Sequence, residues 1–359
     1  MTRDLIVDWY EYCDGRCYVA FSGGKDSKVL LHLVHKLYPD VPAVFSDTGL
    51  EYPEIRQFAK DNGAHFIRPK MDFIEITREY GYPLISKEIA YAISSARRNY
   101  NLDYRKFRNG KEKPVVTAEM ARNTPPSATT IAGRTALLGG VTNENGKTSR
   151  FNYDKWLPLA QKAPFRISSY CCDIMKKNPS DSYSRKNQRK PFIGMLATES
   201  KLREQKWLKT GCNAYGGHGT SNPLSFWTEQ DILQYIKKYD IEICPLYGDI
   251  IEKDGLLQTT GYRRTGCSFC GFGAHLDKGE TRFRMMQRTH PDLYKFCIDG
   301  GGWVDNPEYI EGLGTEPYED GWVPWNPKKL WMPTKDGLGM GFVFDYMNSM
   351  YGTETVLYK

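Results

Sequence analysis

The densest chemistry in the chain lies in Ser22-Gly23-Gly24-Lys25-Asp26-Ser27, after a short apolar run and at the start of a stretch with helical spacing. Two glycines let the backbone approach an anion closely, and the amide N–H groups and dipole of the following helix face it. Ser22 and Ser27 add hydroxyl donors, and Lys25 supplies a positive charge for phosphate oxygens. Asp26 would repel a bare phosphate, so its expected part is to orient the loop or to bind Mg²⁺ beside a polyphosphate. The spacing differs from GxxxxGK[ST], so this is not a Walker loop. A glycine turn with no ligand is the alternative.

These residues need a frame to hold them. Cys17 to Ser22 is a strand-type run, and apolar residues at 29, 30, 33, 34 and 37 give a helix with one buried face. Pro42 to Ser46 is a second strand, Pro53 to Asn62 a second helix stopped at Gly63, and His65 to Arg68 a third strand. This alternation implies an α/β fold with a doubly wound, mostly parallel sheet. In such sheets ligands sit beyond the carboxyl ends of the strands, where Ser22 and Asp47 fall. A further strand–helix unit is expected at 191–208, and another helix over 228–239, capped by Thr228. Residues 100–165 show little periodicity and read as a long insertion that is partly loop. Residues 300–359 carry nine acids, four lysines, no arginine and four of the eight tryptophans, and read as an aromatic appendage. The expected division is a nucleotide-binding domain over 1–245, with an insertion at about 96–165, and a C-terminal cysteine-motif region with appendage over 246–359.

SGGKDS after the first strand resembles the PP-loop of adenine nucleotide alpha hydrolases, also called N-type ATP pyrophosphatases. Within that group the sequence is similar to the phosphoadenosine phosphosulfate (PAPS) reductase family. Ser46-Asp47-Thr48-Gly49-Leu50-Glu51 resembles the family's D-T-G segment, and Gly194 to Arg203 its G-x-R-x-x-E-S-x-x-R. Pro223 to Ile236 resembles its P-x-x-x-W-x-x-x-D helix, and Gly266-Cys267-Ser268-Phe269-Cys270 its closing G-C-x-x-C. The resemblance implies a Rossmann-like fold of the adenine nucleotide alpha hydrolase type. It places nucleotide binding at Ser22 to Ser27, Asp47, Thr48, Gly49, Glu199 and Arg203, with Lys25 and Asp26 as catalytic residues, and Mg²⁺ as companion to ATP.

Nine cysteines in a chain with no visible secretory signal point to thiol chemistry or metal binding before structural bridges. The adjacent pair Cys171-Cys172 and the distant Cys267-x-x-Cys270 are similar to the [4Fe–4S] pattern of the adenylylsulfate reductase branch. Tetrahedral Zn²⁺ on four cysteines is the rival, and Cys212 is a substitute for one of the adjacent pair.

Two features depart from that family. Its reductases attack the sulfonucleotide with a cysteine in a C-terminal tail, yet no cysteine follows Cys297 here. Leu196 stands at the arginine position of G-x-R-x-x-E-S. An ATP-using relative therefore fits better, one that releases AMP and pyrophosphate while activating an acceptor for sulfur transfer. A sulfonucleotide reductase releasing sulfite and a non-catalytic nucleotide- or nucleic-acid-binding protein are the other readings.

Positive charge is concentrated in two windows. Residues 96–113 hold seven basic and two acidic residues, a net of +5, and residues 161–190 hold eight and two, a net of +6. On the sulfur-transfer reading they approach a nucleic-acid acceptor, with solvated loops as the alternative; Tyr100, Tyr104 and Phe107 could stack on bases there, but core or loop packing is their expected role. A sulfur donor such as a cysteine desulfurase would be a second partner. No run of about 18 apolar residues exists, so no membrane span and a cytoplasmic setting are expected.

Overall fold

The computed structural model describes residues 1–99 and 115–359. Tyr100, Tyr104, Phe107 and most of the first basic window lie outside the described residues.

Two compact units are formed: residues 1–73 with 172–268, and residues 74–171 with 269–359. They cut across both expected regions, because the cysteine-motif loop up to Ser268 belongs with the sheet.

The first unit holds helix α1 (Thr2–Tyr12), strand β1 (Cys17–Ala20), helix α2 (Lys25–His35), strand β2 (Ala43–Ser46), helix α3 (Pro53–Asp61) and strand β3 (His65–Ile67). Strand Lys190–Ile193 lies on the other side of β1 from β2, and the short strands Thr220–Ser221 and Asn213–Ala214 complete a six-stranded sheet. All its pairings are parallel except the last, between Asn213–Ala214 and Thr220–Ser221. The doubly wound, mostly parallel sheet expected from the alternation is thus present. Val19 and Phe192 from the strands and Val29, Leu30 and Val34 from α2 are fully buried, which is the driving force for docking that helix. Pro53 starts α3 at a position whose amide needs no partner, and Gly63 ends it with φ +66°. Thr228 and Asp231 form a capping box on helix Glu229–Tyr239.

The second unit is more helical than its sequence suggested. Thr117 and Ser127 cap helices Ala118–Asn123 and Ala128–Leu137, in the stretch read as partly loop. Helix Lys87–Ala96 packs on Ala128–Leu137 at Gly133, where a Cβ would lie 2.7 Å from the Ala92 carbonyl oxygen. Residues 300–359 are an integral part of this unit, with hairpin strands Gly302–Asp305 and Lys329–Met332 and helix Met340–Tyr351. Trp322 is fully buried, and the Trp325 indole donates to the Ala163 carbonyl.

The basic windows are partly structural. Arg97 is buried and donates to three backbone carbonyls, Ala160, Phe165 and Leu159. Arg166 pairs with Glu308, and Arg189 donates to the Cys17 carbonyl. These guanidiniums are spent on folding and are not presented to a polyanion. No helix among the described residues is long and apolar enough to cross a membrane.

Candidate functional site

β1 sits between β2 and strand Lys190–Ile193, so the chain leaves it in one direction and later returns on its other side. A crevice forms at such a reversal, beyond the carboxyl ends of the two strands. Two loops meet there, Ser22 to Gly24 after β1 and Gly194 to Ser200 after Lys190–Ile193. Gly194 permits the meeting, because a Cβ on it would lie 3.1 Å from the Asp26 carbonyl and the Ser27 nitrogen.

The first loop is self-supporting. Gly23 adopts φ +72°, and a Cβ there would come within 2.9 Å of the Ile55 side chain. The Ser27 hydroxyl donates to the Gly24 carbonyl at 2.9 Å and accepts from the Ser22 amide at 3.2 Å. Ser22 Oγ is 3.1 Å from Ser27 Oγ, so both hydroxyls first shape the loop. Gly23→Ala is expected to cost about 1–3 kcal/mol in chemical unfolding; an unchanged midpoint would show that the left-handed turn is not required.

The loop's charges are held by residues far away in sequence. The Lys25 ammonium is buried, 2.9 Å from Glu229 Oε1 and over the Tyr247 ring at 5.3 Å. Burial alone would raise the Glu229 pKa, but Lys25, Arg263 and Arg264 hold it below the ordinary carboxylate value. Asp26 goes the other way. Loss of hydration raises its pKa, against the pull of Lys25, Arg203 and Arg264. The Tyr247 hydroxyl lies 2.5 Å from Thr265 Oγ1 and accepts from the Lys25 amide at 3.4 Å. Arg203 pairs with Glu199 and takes its place at the mouth through the Ser200 cap of helix Lys201–Thr210. Leu196 is buried in the core, so no guanidinium stands at that point.

Asp47 to Glu51 is bound more tightly than its sequence suggested. Asp47 is buried, and its Oδ2 accepts from Arg56 at 2.8 Å and from Arg68 at 3.1 Å. Its Oδ1 has no partner, which leaves one buried acceptor open to a ligand donor or a cation. The Thr48 hydroxyl and amide both donate to the Glu51 carboxylate, at 2.7 and 3.0 Å. Gly49, at φ +75°, turns this segment.

The structure thus gathers Ser22 to Ser27, Glu199 and Arg203 and adds Glu229, Tyr247, Arg264 and Thr265. Glu229 was visible as the first residue of a capped helix, whereas nothing local to Tyr247 signals its contact with Lys25.

The four cysteines expected to hold a metal fall two in each unit, Cys172 and Cys267 in the first and Cys171 and Cys270 in the second. Within the first unit, Lys176 is hydrogen-bonded to Cys267, and its pKa is raised chiefly by that thiol, with Glu51 and Cys172 adding to the effect. Lys176 sits in a π-helical turn, Asp173–Lys177, a distortion frequent at functional sites. Cys212 lies elsewhere, its Sγ accepting the Trp207 indole N–H at 3.3 Å. Cys297 is fully buried beside the Met340 sulfur, and burial pushes its thiol far up. A thiol so placed is poorly suited to act as a nucleophile. Among the described residues no three His, Cys, Asp or Glu side chains gather to hold a metal ion.

Residues 16–80 and 142–271 match the phosphoadenosine phosphosulfate reductase domain. The chain is 28% identical over 249 residues to sulfate adenylyltransferase subunit 2 of Salmonella arizonae, covering 66% of this chain and 63% of that protein. The counterpart from Psychromonas ingrahamii is 27% identical, with the same shares. The chain therefore spans less than two thirds of the length of these two relatives. A crystal structure of PAPS reductase from Candida auris aligns with 12% identity and a TM-score of 0.35, covering 71% of this chain and 89% of that one.

Proposed function

The chain belongs to the phosphoadenosine phosphosulfate reductase domain family, and from that premise we propose that it is an ATP-using enzyme that activates an acceptor for sulfur transfer. The observation that carries this is the loop at the sheet's crossover, where Lys25, Asp26, Arg203 and Arg264 converge. Such a cradle suits a polyphosphate.

In the proposed reaction an acceptor oxygen attacks the α-phosphorus of ATP. The bond to the bridging oxygen breaks, and pyrophosphate leaves with Mg²⁺. A hydrosulfide-level sulfur from a donor protein then displaces AMP from the acceptor. The loop amides and Lys25 hold the β,γ-phosphates, and Asp26 would hold a Mg²⁺ that offsets their charge. Lys25 exchanges its Glu229 partner for phosphate oxygens, so no buried charge is left unpaired at either stage. Arg203 and Arg264 stabilise charge on the leaving group.

Cys171, Cys172, Cys267 and Cys270 would hold a [4Fe–4S] cluster or Zn²⁺, and a cluster would supply a site for handling sulfur. The first unit fits this in part: two thiols share a half-buried ammonium that offsets thiolate charge, and no step above passes through a cysteine-bound metal. Anaerobically purified protein is expected to show broad visible absorbance that Cys267→Ser removes. A colourless, iron-free wild type would overturn the cluster.

The acceptor we propose is a nucleic acid. A sulfonucleotide reductase is the second reading, favoured by the family match itself. The burial of Cys297 beside the Met340 sulfur counts against that thiol as the attacking group such a reductase needs. Anaerobic incubation with Mg-ATP, and separately with PAPS, distinguishes the two: release of pyrophosphate supports the first, and release of sulfite the second.

A further inference from the structure

Helix Lys201–Thr210 is the one long helix of the first unit with no buried residue. Only Arg203 and Trp207, one turn apart, are even half-buried, and the other eight residues face solvent. Leu202 and Leu208 are 54% and 73% exposed. A helix of ten residues without a packed apolar face is marginal in water, because most helical stability comes from that face. What holds this one is the Ser200 cap and the Trp207 indole on Cys212.

Its charge is one-sided. Lys201, Arg203, Lys206 and Lys209 stand against Glu204 alone, four against one, a net of +3. Its first turn opens on the phosphate loop. Arg203 pairs with Glu199 and feels both Asp26 and the exposed Arg264. Arg203, Lys206 and Lys209, three residues apart, therefore form a positive track from the mouth of the candidate site along the helix, and Lys201 flanks its start.

Resting on the proposed reading of that site, we propose that helix Lys201–Thr210 is the docking surface for the acceptor, a single strand of nucleic acid. Its phosphodiesters pair with Lys201, Lys206 and Lys209, and Arg203 marks where the strand enters the crevice. The complementarity is of charge: spaced cations match a repeating anion, and Leu202 and Leu208 offer apolar contact to sugars or bases. An acidic protein groove would match the same face, but it would not account for a track that ends at the phosphate loop.

The test uses the full chain with 5′-fluorescein-labelled 20-nucleotide mixed-sequence DNA and RNA, read by anisotropy across salt concentrations. Lys201→Glu/Lys206→Glu/Lys209→Glu is compared with wild type and with Lys237→Glu/Lys238→Glu/Lys253→Glu, which makes the same charge change on exposed lysines of the same unit. The helix triple variant is expected to bind at least about tenfold more weakly, and its log K against log salt slope is expected to shrink by about 2. The control triple variant should stay near wild type. The DNA and RNA arms show which strand is taken. Equal loss in both triple variants, or no binding of either oligonucleotide by wild type, overturns the proposal. Calorimetric Mg-ATP binding is measured on the same samples. Its absence in wild type would strike the proposed function, while the oligonucleotide arms still decide the helix.

Discussion

Lys25→Ala is expected to lower pyrophosphate release from ATP by about 10²–10³-fold, the scale seen when one preorganised donor to a developing charge is removed. The ammonium is buried, it opens α2, and among the described residues its carboxylate partner is Glu229 at 2.9 Å. Truncation removes the charge that must meet the phosphates, and it also leaves the Glu229 carboxylate unpaired. Glu229→Gln separates these effects, because it keeps the shape and removes the competitor for Lys25. Nucleotide binding should survive in Glu229→Gln and fall in Lys25→Ala. Asp26→Asn should unfold no earlier than wild type, since it removes a poorly hydrated charge whose pKa is raised. It should nevertheless lose Mg²⁺-dependent nucleotide binding. Wild-type turnover in Lys25→Ala would remove the loop from the reaction.

The second large effect concerns stability. Arg97→Ala is expected to cost on the order of 3–5 kcal/mol, because three buried carbonyls lose their donor at once. The guanidinium donates to Ala160 at 2.7 Å, Phe165 at 2.7 Å and Leu159 at 2.9 Å, and stacks on the Trp325 ring at 4.2 Å. Burial pushes its pKa down to about 9, so the fold keeps a charge it does not favour in exchange for this fork of bonds. Arg97→Lys should not rescue it, since one ammonium cannot reach three carbonyls in a plane. Urea unfolding of the full chain measures the loss. A change below about 1 kcal/mol would mean that water replaces the guanidinium.

Arg97 also shows where sequence reading reached its limit. A basic window reads as a surface because lysines and arginines are rarely buried, and no local signal distinguishes an arginine that ties three carbonyls together. The tail behaved similarly. Trp325 and Trp322 are core residues of the second unit, joined to an insertion more than 150 residues earlier. Such pairings carry no periodicity. The sheet, by contrast, was legible, because strand–helix alternation, Pro53, Gly63 and the Thr228 box each act locally. The shape of the Ser22 to Ser27 loop was legible for the same reason: its hydroxyls bond to neighbours within five residues. Glu229 and Tyr247 reach Lys25 across more than 200 residues, and only the fold reveals them. Asp47 was legible as a polar residue at the end of a strand, but its clamp by Arg56 and Arg68 was not.

The most direct test of the central claim is anaerobic calorimetric titration of the full chain with Mg-ATP, repeated on Lys25→Ala. The cradle at the sheet's crossover predicts saturable binding that requires Mg²⁺ and disappears in the variant. No binding of ATP, or equal binding by Lys25→Ala, would contradict it.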